Sequence, residues 1–558
     1  MRDIQHRIVG IDLGTTFSSL AYVDAQGRPV TVPGDQGEAV TPSAILIQPD
    51  RSVHVGSHAL LAAENEPWNV ATNFKRDMGE KFYHRTVCGR QFSPEALSAL
   101  LLKKLVKDAQ EQIGEIAGAV ITVPAYFGDR RRKATEDAGR IASLHVMDII
   151  NEPTAAALAN AFRCYVERGG STARFELAGI AATAPSTTLV FDLGGGTFDV
   201  TIIRISGPQF EVVATGGEVR LGGVDFDARL VDWYCEEFSR RHGVDPRDQE
   251  ESLARIRHTC EEAKIALSTR PATVIMADHL GRELALPIGR RQFEQLTADL
   301  ITRARISTDM LVQDALLTWD RIDDVLLVGG SVQMPAIQEM LQQISGKKPN
   351  TAIAPREIVA HGAAIHAAIR HLTDSPVQTL PDGGRRIDSG WGNGEPDDEP
   401  IRLFTFDPPV MEAARQVQLT DVNSHSLGVI VRSSREARTV NSMIIPRNTP
   451  LPVTRTKVFG TEAQNQRLVR VPIVEGETRD PQGCTQIGEC VIHELPPGLP
   501  KGSPVEITFR YDPSGRVHVR AVELMYNTTA SAEIHRTSGF GQADLSKLTD
   551  AVREVELE

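Results

Sequence analysis

Cysteine, aromatic residues and positive charge are all scarce in this chain. Its six cysteines, Cys88, Cys164, Cys235, Cys260, Cys484 and Cys490, are scattered and form no CxxC pair. That spacing argues against a zinc cluster or a disulfide framework and points to a reducing cytoplasm. Cys484 and Cys490 alone are spaced to meet across a hairpin. No window approaches the ~18 continuous apolar residues of a membrane span, and the opening MRDIQHRIVG carries no signal-peptide run. Lys and Arg number 60 against 73 Asp and Glu, a formal net charge of −13. Such a balance repels nucleic acid and anionic lipid, so neither is an expected partner. The densest basic cluster, Arg130-Arg131-Arg132-Lys133, reads as one turn of a helix face. Two common nucleotide motifs are also missing: there is no GxxxxGK(S/T) P-loop, and no GxGxxG follows a strand.

What is present is an ordinary globular balance, 41% hydrophobic and 24% charged, long enough for three or four compact units. Residues 1–372 alternate strand-like and helix-like patterns, which predicts an α/β architecture. Val120–Val123 and Val325–Val328 are aliphatic runs bounded by Pro or Gly. Ser93-Pro94-Glu95 supplies an N-cap, a proline at the first helical position and an early acid, and Leu97, Leu100, Leu101 and Leu105 follow at helical spacing. Residues 373–418, rich in Gly, Pro and charge, read as a flexible interdomain linker in which Phe404 and Phe406 stand out. Residues 419–537 read as all-β. There Val505–Tyr511 alternates strictly, Asp512-Pro513-Ser514-Gly515 turns, and Val517–Arg520 alternates back. Residues 538–558 read as one short helix.

An internal echo carries the chemistry. Ile8–Ile11 leads into Asp12-Leu13-Gly14-Thr15-Thr16, and Leu189–Phe191 leads into Asp192-Leu193-Gly194-Gly195-Gly196-Thr197; each is followed by another strand. Glycine tolerates positive φ and lets backbone N–H groups approach a phosphate closely. An Asp at a strand end can hold Mg²⁺ or its waters, and Thr15, Thr16 and Thr197 add hydroxyl donors. One such turn is ordinary hairpin chemistry. Its duplicate, with three glycines, suggests two lobes clamping one triphosphate from opposite sides.

The segments IVGIDLGTTFSSLAYV, NFKRDMG, ITVPAYFGDRRRKATEDAGRIA, INEPTAAALA, VFDLGGGTFDVTII, LGGVDFDARL, CEEAKIALS and LLVGGSVQMPAIQ occur in that order, and DVNSHSLGV through TFRYDPSGRVHV follow. In this the chain resembles the heat-shock seventy-kilodalton chaperones, the DnaK family. The resemblance implies an actin-like two-lobed ATPase, a linker and a β-sandwich that binds extended hydrophobic segments of unfolded proteins, with ATP or ADP, Mg²⁺ and K⁺ as cofactors. It also implies roles by position. Lys75, Glu152, Asp192 and Thr197 would be catalytic, and Asp12 and Asp199 would hold the ions, partly through water. Gly14, Thr15, Thr16, Phe17, Gly194, Gly195, Gly196, Glu261, Lys264, Ser268, Gly329, Gly330 and Ser331 would hold the nucleotide. Glu261, Lys264 and Ser268 share one helical face by spacing. Pro124, Arg132 and Asp421 would relay nucleotide state between domains, and Val429, Phe459, Val469 and Val471 would line the peptide groove.

Several positions depart from the family pattern. Gln333 replaces an arginine that stacks on adenine and Arg356 replaces a nearby acid, so a looser grip on nucleotide is expected. Asp148 stands where a basic residue receives J-domain co-chaperones, so an acid would face an acid there. Arg432 and Glu462 occupy the arch over the groove, where an ion pair is expected. The leucine-rich linker stretch is reduced to Val417-Gln418-Leu419, and the helical lid is reduced to a vestige, which predicts weak coupling and fast peptide release. A nucleotide exchange factor is a further implied partner. The alternative reading is a nucleotide-sensing co-chaperone or exchange factor with little ATPase activity; a small-molecule kinase on the same fold is more remote.

Overall fold

The computed structural model describes residues 6–167, 185–351, 354–374, 377–379, 385–387, 414–433, 438–493, 495–512, 516–526, 528–532 and 542–557. Most of the expected linker, with Phe404 and Phe406, and the turn Pro513–Gly515 lie outside them, as does the side chain of Cys164.

The echo in sequence is an echo in topology. In the first lobe, Pro29–Val32, Phe17–Val23, Arg7–Asp12, Ile116–Val123 and Val146–Asn151 lie side by side in that order. In the second lobe the order is Gln209–Glu218, Phe198–Ser206, Ser186–Leu193 and Asp324–Val328. Each sheet thus has an antiparallel meander whose first strand pairs in parallel with a later strand, Ile11 beside Ile121 in one and Phe191 beside Leu327 in the other. Parallel strands buried on both faces need aliphatic runs, and these are the runs the sequence contains.

Two small-residue helices bring the lobes together. Glu152–Glu167 carries Ala155–Ala159, and Ile358–Asp374 carries Gly362, Ala363 and Ala364, all but a few atoms of them buried. A Cβ on Gly362 would sit 1.8 Å from the Ala155 carbonyl oxygen, and one on Gly10 would sit 2.0 Å from the Ala364 nitrogen. Backbones this close admit only hydrogen at those positions. The shared core takes Val120 from the first sheet and Val190, Ile203 and Leu326 from the second.

The remaining chain is β-rich. One antiparallel sheet runs Thr439–Ile445, Leu427–Arg432, Val469–Glu475 and Thr485–Ile492; the other runs Val453–Gly460, Pro504–Tyr511, Val517–Glu523 and Thr528–Ala532. They share one core around Val429, Ile473, Phe509 and Val519. Cys484 and Cys490 are both free thiols, and Cys490 points into that core.

The structure departs from the expected boundaries at three places. Within 373–418, Val377–Thr379 pairs with Arg385–Ile387, because short alternating segments flank a Pro-Asp-Gly-Gly sequence. Gln418–Thr420 joins the second-lobe sheet in parallel beside Gln209–Glu211, with Val417 and Leu419 packed into the shared core. The reduced apolar stretch is therefore docked. Finally, the helix Gln542–Arg553 lies on the first lobe against Asp129–Ile141 and Pro94–Ile113 instead of over the β region. Val552 and Leu557 enter the first-lobe core, and Lys103 Nζ donates to the carbonyls of Val552, Arg553 and Val555 at the helix C-terminus, where a cation is favoured.

His371, near the end of Ile358–Asp374, is 1% exposed, and neither ring nitrogen has a hydrogen-bond partner among the described residues. Burial pushes its pKa from 6.5 down to about 4. The unfolded chain takes up this proton first as pH falls from 6.5 towards 4, so stability declines through that window. His371→Leu is expected to lose less Tm than the wild type between roughly pH 7 and pH 5 in a thermal-melt series.

Candidate functional site

The two Asp-Leu-Gly turns meet face to face. A Cβ on Gly195 would lie 2.4 Å from the Thr16 side chain, and one on Gly196 would lie 2.5 Å from that of Thr15. The first tip is braced by Ser18 Oγ, which accepts from Gly14 N–H at 3.0 Å, and by Ser43 Oγ, which donates to the Gly14 carbonyl at 2.9 Å. The second is braced by Ser331 Oγ donating to the Gly194 carbonyl at 2.9 Å, and by Gly223 N–H donating to the same oxygen at 3.0 Å. Gly329, at φ 86°, passes so near Leu193 that a Cβ would sit 2.4 Å from its carbonyl oxygen.

Between the tips opens a cleft of about 610 Å³, within the usual range for a small-molecule site. Asp12, Gly14, Thr15, Thr16, Phe17, Lys75, Glu152, Asp192, Gly194, Gly195, Thr197, Glu261, Lys264, Ser268, Gly329, Gly330 and Ser331 all line it, as do Gln333 and Arg356. Gly196 and Asp199 are not among the lining residues, though Asp199 is the strand partner of Asp192 and Gly196 abuts Thr15. Glu261, Lys264 and Ser268 come from the single helix Glu250–Thr269, as their spacing predicts.

Charge in this cleft is unbalanced. Lys75, on the short turn Phe74–Asp77, is 2% exposed and lies 2.5 Å from Glu152 Oε1. Asp12, Asp192 and Asp199 are buried around the same pair. Burial first, then the Glu152 charge, raises Asp12 to about 7 and Asp199 to about 8; Asp192 rises well above the carboxylate range for the same reasons, with Asp199 and Asp12 adding repulsion. Among the described residues, no three His, Cys, Asp or Glu side chains converge on a point where they would all ligate one metal ion directly. Four oxygen-donor acids around one ammonium suit a hard divalent cation that keeps its waters and takes phosphate oxygens. Asp12 and Asp199 would hold Mg²⁺ in that way.

Sequence reasoning missed four participants. Thr122 Oγ1 donates to Asp12 Oδ1 at 3.0 Å across the parallel strand pair. Asp227 Oδ2, on the helix Gly223–His242, accepts from Lys264 Nζ at 2.7 Å and so ties that helix to Glu250–Thr269. Tyr126 N–H donates to Asp199 Oδ1 at 2.9 Å. Asn151 Nδ2 donates to Asp421 Oδ2 at 2.6 Å, while its side-chain Oδ1 accepts from Arg132 Nη1. Asn151 was the legible one, since it directly precedes Glu152-Pro153.

The β-rich region sits on the loop that follows Pro124. His425 Nε2 lies 3.2 Å from the Tyr126 carbonyl oxygen and its ring meets the Tyr126 ring edge-on at 4.4 Å. Glu475 Oε1 accepts from Asp129 N–H at 3.3 Å, so a carboxyl from one domain caps the helix Asp129–Ile141 of the other. Arg516 pairs with Glu136 on that helix, and Arg447 pairs with Asp314 on the second lobe.

Two expectations are corrected here. Asp148 does not present a bare acid: His366 Nε2 stands 2.9 Å from Oδ2 and Arg370 Nε 3.5 Å from it, both offered by the helix Ile358–Asp374. Burial works to raise its pKa, yet the His366 hydrogen bond and the two cationic neighbours hold it below the ordinary value. Arg432 and Glu462 form no ion pair among the described residues; both are exposed, and Glu462 N–H donates instead to Gln466 Oε1 at 2.9 Å. Solvated partners gain little by pairing. Val429 and Val471 are buried in the β core, with Phe459 and Val469 packed against it.

An opposed-hairpin nucleotide cleft joined to a β-rich domain defines a class of two-lobed nucleotide-dependent proteins. The model of the Hsp70 protein family matches residues 8–88, 83–380 and 409–558. The chain is 34% identical over 578 residues to the protein named chaperone protein DnaK of Thermus thermophilus, covering 98% of this chain and 83% of that one. It is likewise 34% identical over 565 residues to chaperone protein DnaK of Thermotoga neapolitana, covering 100% and 85%. The chain belongs to the Hsp70 family. It is an ATP-dependent chaperone, and its enzymatic activity is that of an ATPase.

The contact between tips yields a direct test. Gly195→Ala is expected to drive the Thr16 side chain out of place, and the Tm gain on adding ATP with Mg²⁺ should largely vanish while the melt without nucleotide is retained.

Proposed function

We propose that the cleft hydrolyses ATP and that the same loops report its occupancy to the β-rich domain. The observation that carries this is Asp199: one carboxyl faces the acid cluster and also holds the Tyr126 N–H, whose carbonyl oxygen faces His425 of the β-rich domain. A change of charge in the cleft is thereby two hydrogen bonds from the docked partner domain.

In this mechanism the glycine tips offer N–H groups to the phosphates and Thr15, Thr16 and Thr197 offer hydroxyls. Asp192 orients the attacking water and accepts its proton, for which a raised pKa suits it. Lys75, held straight by Glu152, meets the charge that develops on the transferred phosphoryl group. Mg²⁺, when bound, offsets the remaining phosphate charge, with K⁺ assisting. Gly329, Gly330, Ser331, Glu261, Lys264 and Ser268 hold the adenosine.

Coupling runs by a second route through Pro124, Arg132, Asn151 and Asp421, and ends at the strand Gln418–Thr420 on the second-lobe sheet. The actin-like lobes would favour this docked state with ATP, and ADP would favour its release. The groove around Val429, Phe459, Val469 and Val471 would take extended hydrophobic segments of unfolded chains. With the terminal helix on the first lobe, no described helix lies over those residues, which supports fast peptide release. J-domain proteins and an exchange factor are the proposed partners, and the cytoplasm is the proposed compartment, consistent with no described helix being long and apolar enough to cross a membrane. Retention of Lys75, Glu152 and Asp192 in one cluster disfavours a sensor with little ATPase activity.

Single-turnover ATP hydrolysis with and without an unfolded peptide tests this reading. Lys75→Met is expected to lower the rate constant about 10²–10³-fold, the usual loss for one group that stabilises developing charge. Asn151→Ala is expected to leave basal hydrolysis within about 2-fold and to abolish peptide stimulation, because it cuts the Arg132–Asp421 connection. Stimulation that persists in Asn151→Ala would exclude this route.

A further inference from the structure

The deep cations of the cleft are already engaged. Lys75 is paired with Glu152, and Lys264 with Asp227. Arg356 is different. It lies on the segment before Ile358–Asp374, where Pro355 C=O accepts from Gly329 N–H at 3.1 Å and ties this segment to the nucleotide loop. Its side chain crosses Gly330: a Cβ on that glycine would sit 3.5 Å from Arg356 Nε. The guanidinium carbon then stands 5.0 Å from the centre of the Phe17 ring. Phe17 belongs to the first lobe and Arg356 to the second, so the contact spans the mouth of the cleft. Among the described residues this guanidinium engages no carboxylate.

A guanidinium resting on an aromatic face keeps its N–H edge free, and that planar fork matches phosphate oxygens. The nearest backbone on both sides, Gly330 and the Thr15–Phe17 turn, is the backbone that lines the cleft. We propose that Arg356 reads the phosphate chain of the bound nucleotide from the second lobe, with Phe17 of the first lobe as its stacking platform. The inference rests on the nucleotide reading of the cleft and adds a specificity residue to it. Arg356 supplies a cation that the sequence lacks at Gln333, but directs it at phosphate instead of at the base. The grip therefore depends on lobe closure, since either lobe alone holds half of the contact.

Titration calorimetry of the full chain with ADP and, separately, with adenosine tests this. Arg356→Ala should weaken ADP about 10–100-fold, the loss typical of a charge-assisted hydrogen bond, and leave adenosine within about 2-fold of wild type. Arg356→Lys should recover part of the ADP affinity, because charge is kept and the fork is lost. Wild-type ADP affinity should also fall more steeply with added salt than that of Arg356→Ala. Two results overturn the proposal: ADP affinity within about 2-fold in Arg356→Ala, or equal losses for ADP and adenosine, which would place Arg356 at the base. Wild-type protein that binds neither ligand would instead overturn the nucleotide reading on which this rests.

Discussion

Four clustered carboxylates, three of them buried, share one ammonium among the described residues, and this imbalance bears on what the cleft can bind. Glu152, Asp192 and Asp199 are buried and Asp12 is half-buried beside them, and among the described residues Lys75 is the cation paired within the cluster. Burial raises the cost of each uncompensated charge, so the cluster holds its protons more tightly and favours any ligand that brings a cation. A nucleotide with Mg²⁺ would be such a ligand, with the acids and the ammonium available to the metal and phosphate charge and the glycine tips available to the phosphates. Everything around the cleft serves to keep these charges together, because two of the acids come from each lobe.

Holding the lobes at that distance is the work of the smallest residues. Gly10 and Gly362 let a strand and two helices touch backbone to backbone, and a Cβ at either would collide with main-chain atoms. Apolar side chains from both sheets fill the remaining space and contribute the bulk of the stabilisation. This rigid seam also receives the linker strand at its edge. The cleft, the seam and the docked strand are therefore contiguous through strand pairing and the shared core.

The β-rich domain adds charge of its own at the interface. Glu475 is buried against Asp129, and burial followed by that neighbour's charge raises its pKa, while His425 and Arg132 pull the other way. The interface mixes caps and ion pairs with apolar contact: Val422 is buried in the inter-lobe core, and the His425 ring meets that of Tyr126. The terminal helix docks mainly by its apolar side chains on the first lobe, and Lys103 caps its end.

Much of this was legible in residue order. The doubled Asp-Leu-Gly turn gave two hairpins with the same strand order, because aliphatic runs and glycine turns are local signals. The helical face of Glu261, Lys264 and Ser268 followed from spacing alone. Other features depended on parts of the chain far apart in sequence. Asp148 is quieted by His366 and Arg370, Arg356 reaches Phe17, and Asp199 holds Tyr126. Nothing near Asp148 in sequence announces a histidine on a distant helix. Local backbone preference and hydrophobic pattern are written residue by residue, whereas burial, pairing and pKa arise only when the chain has chosen its neighbours.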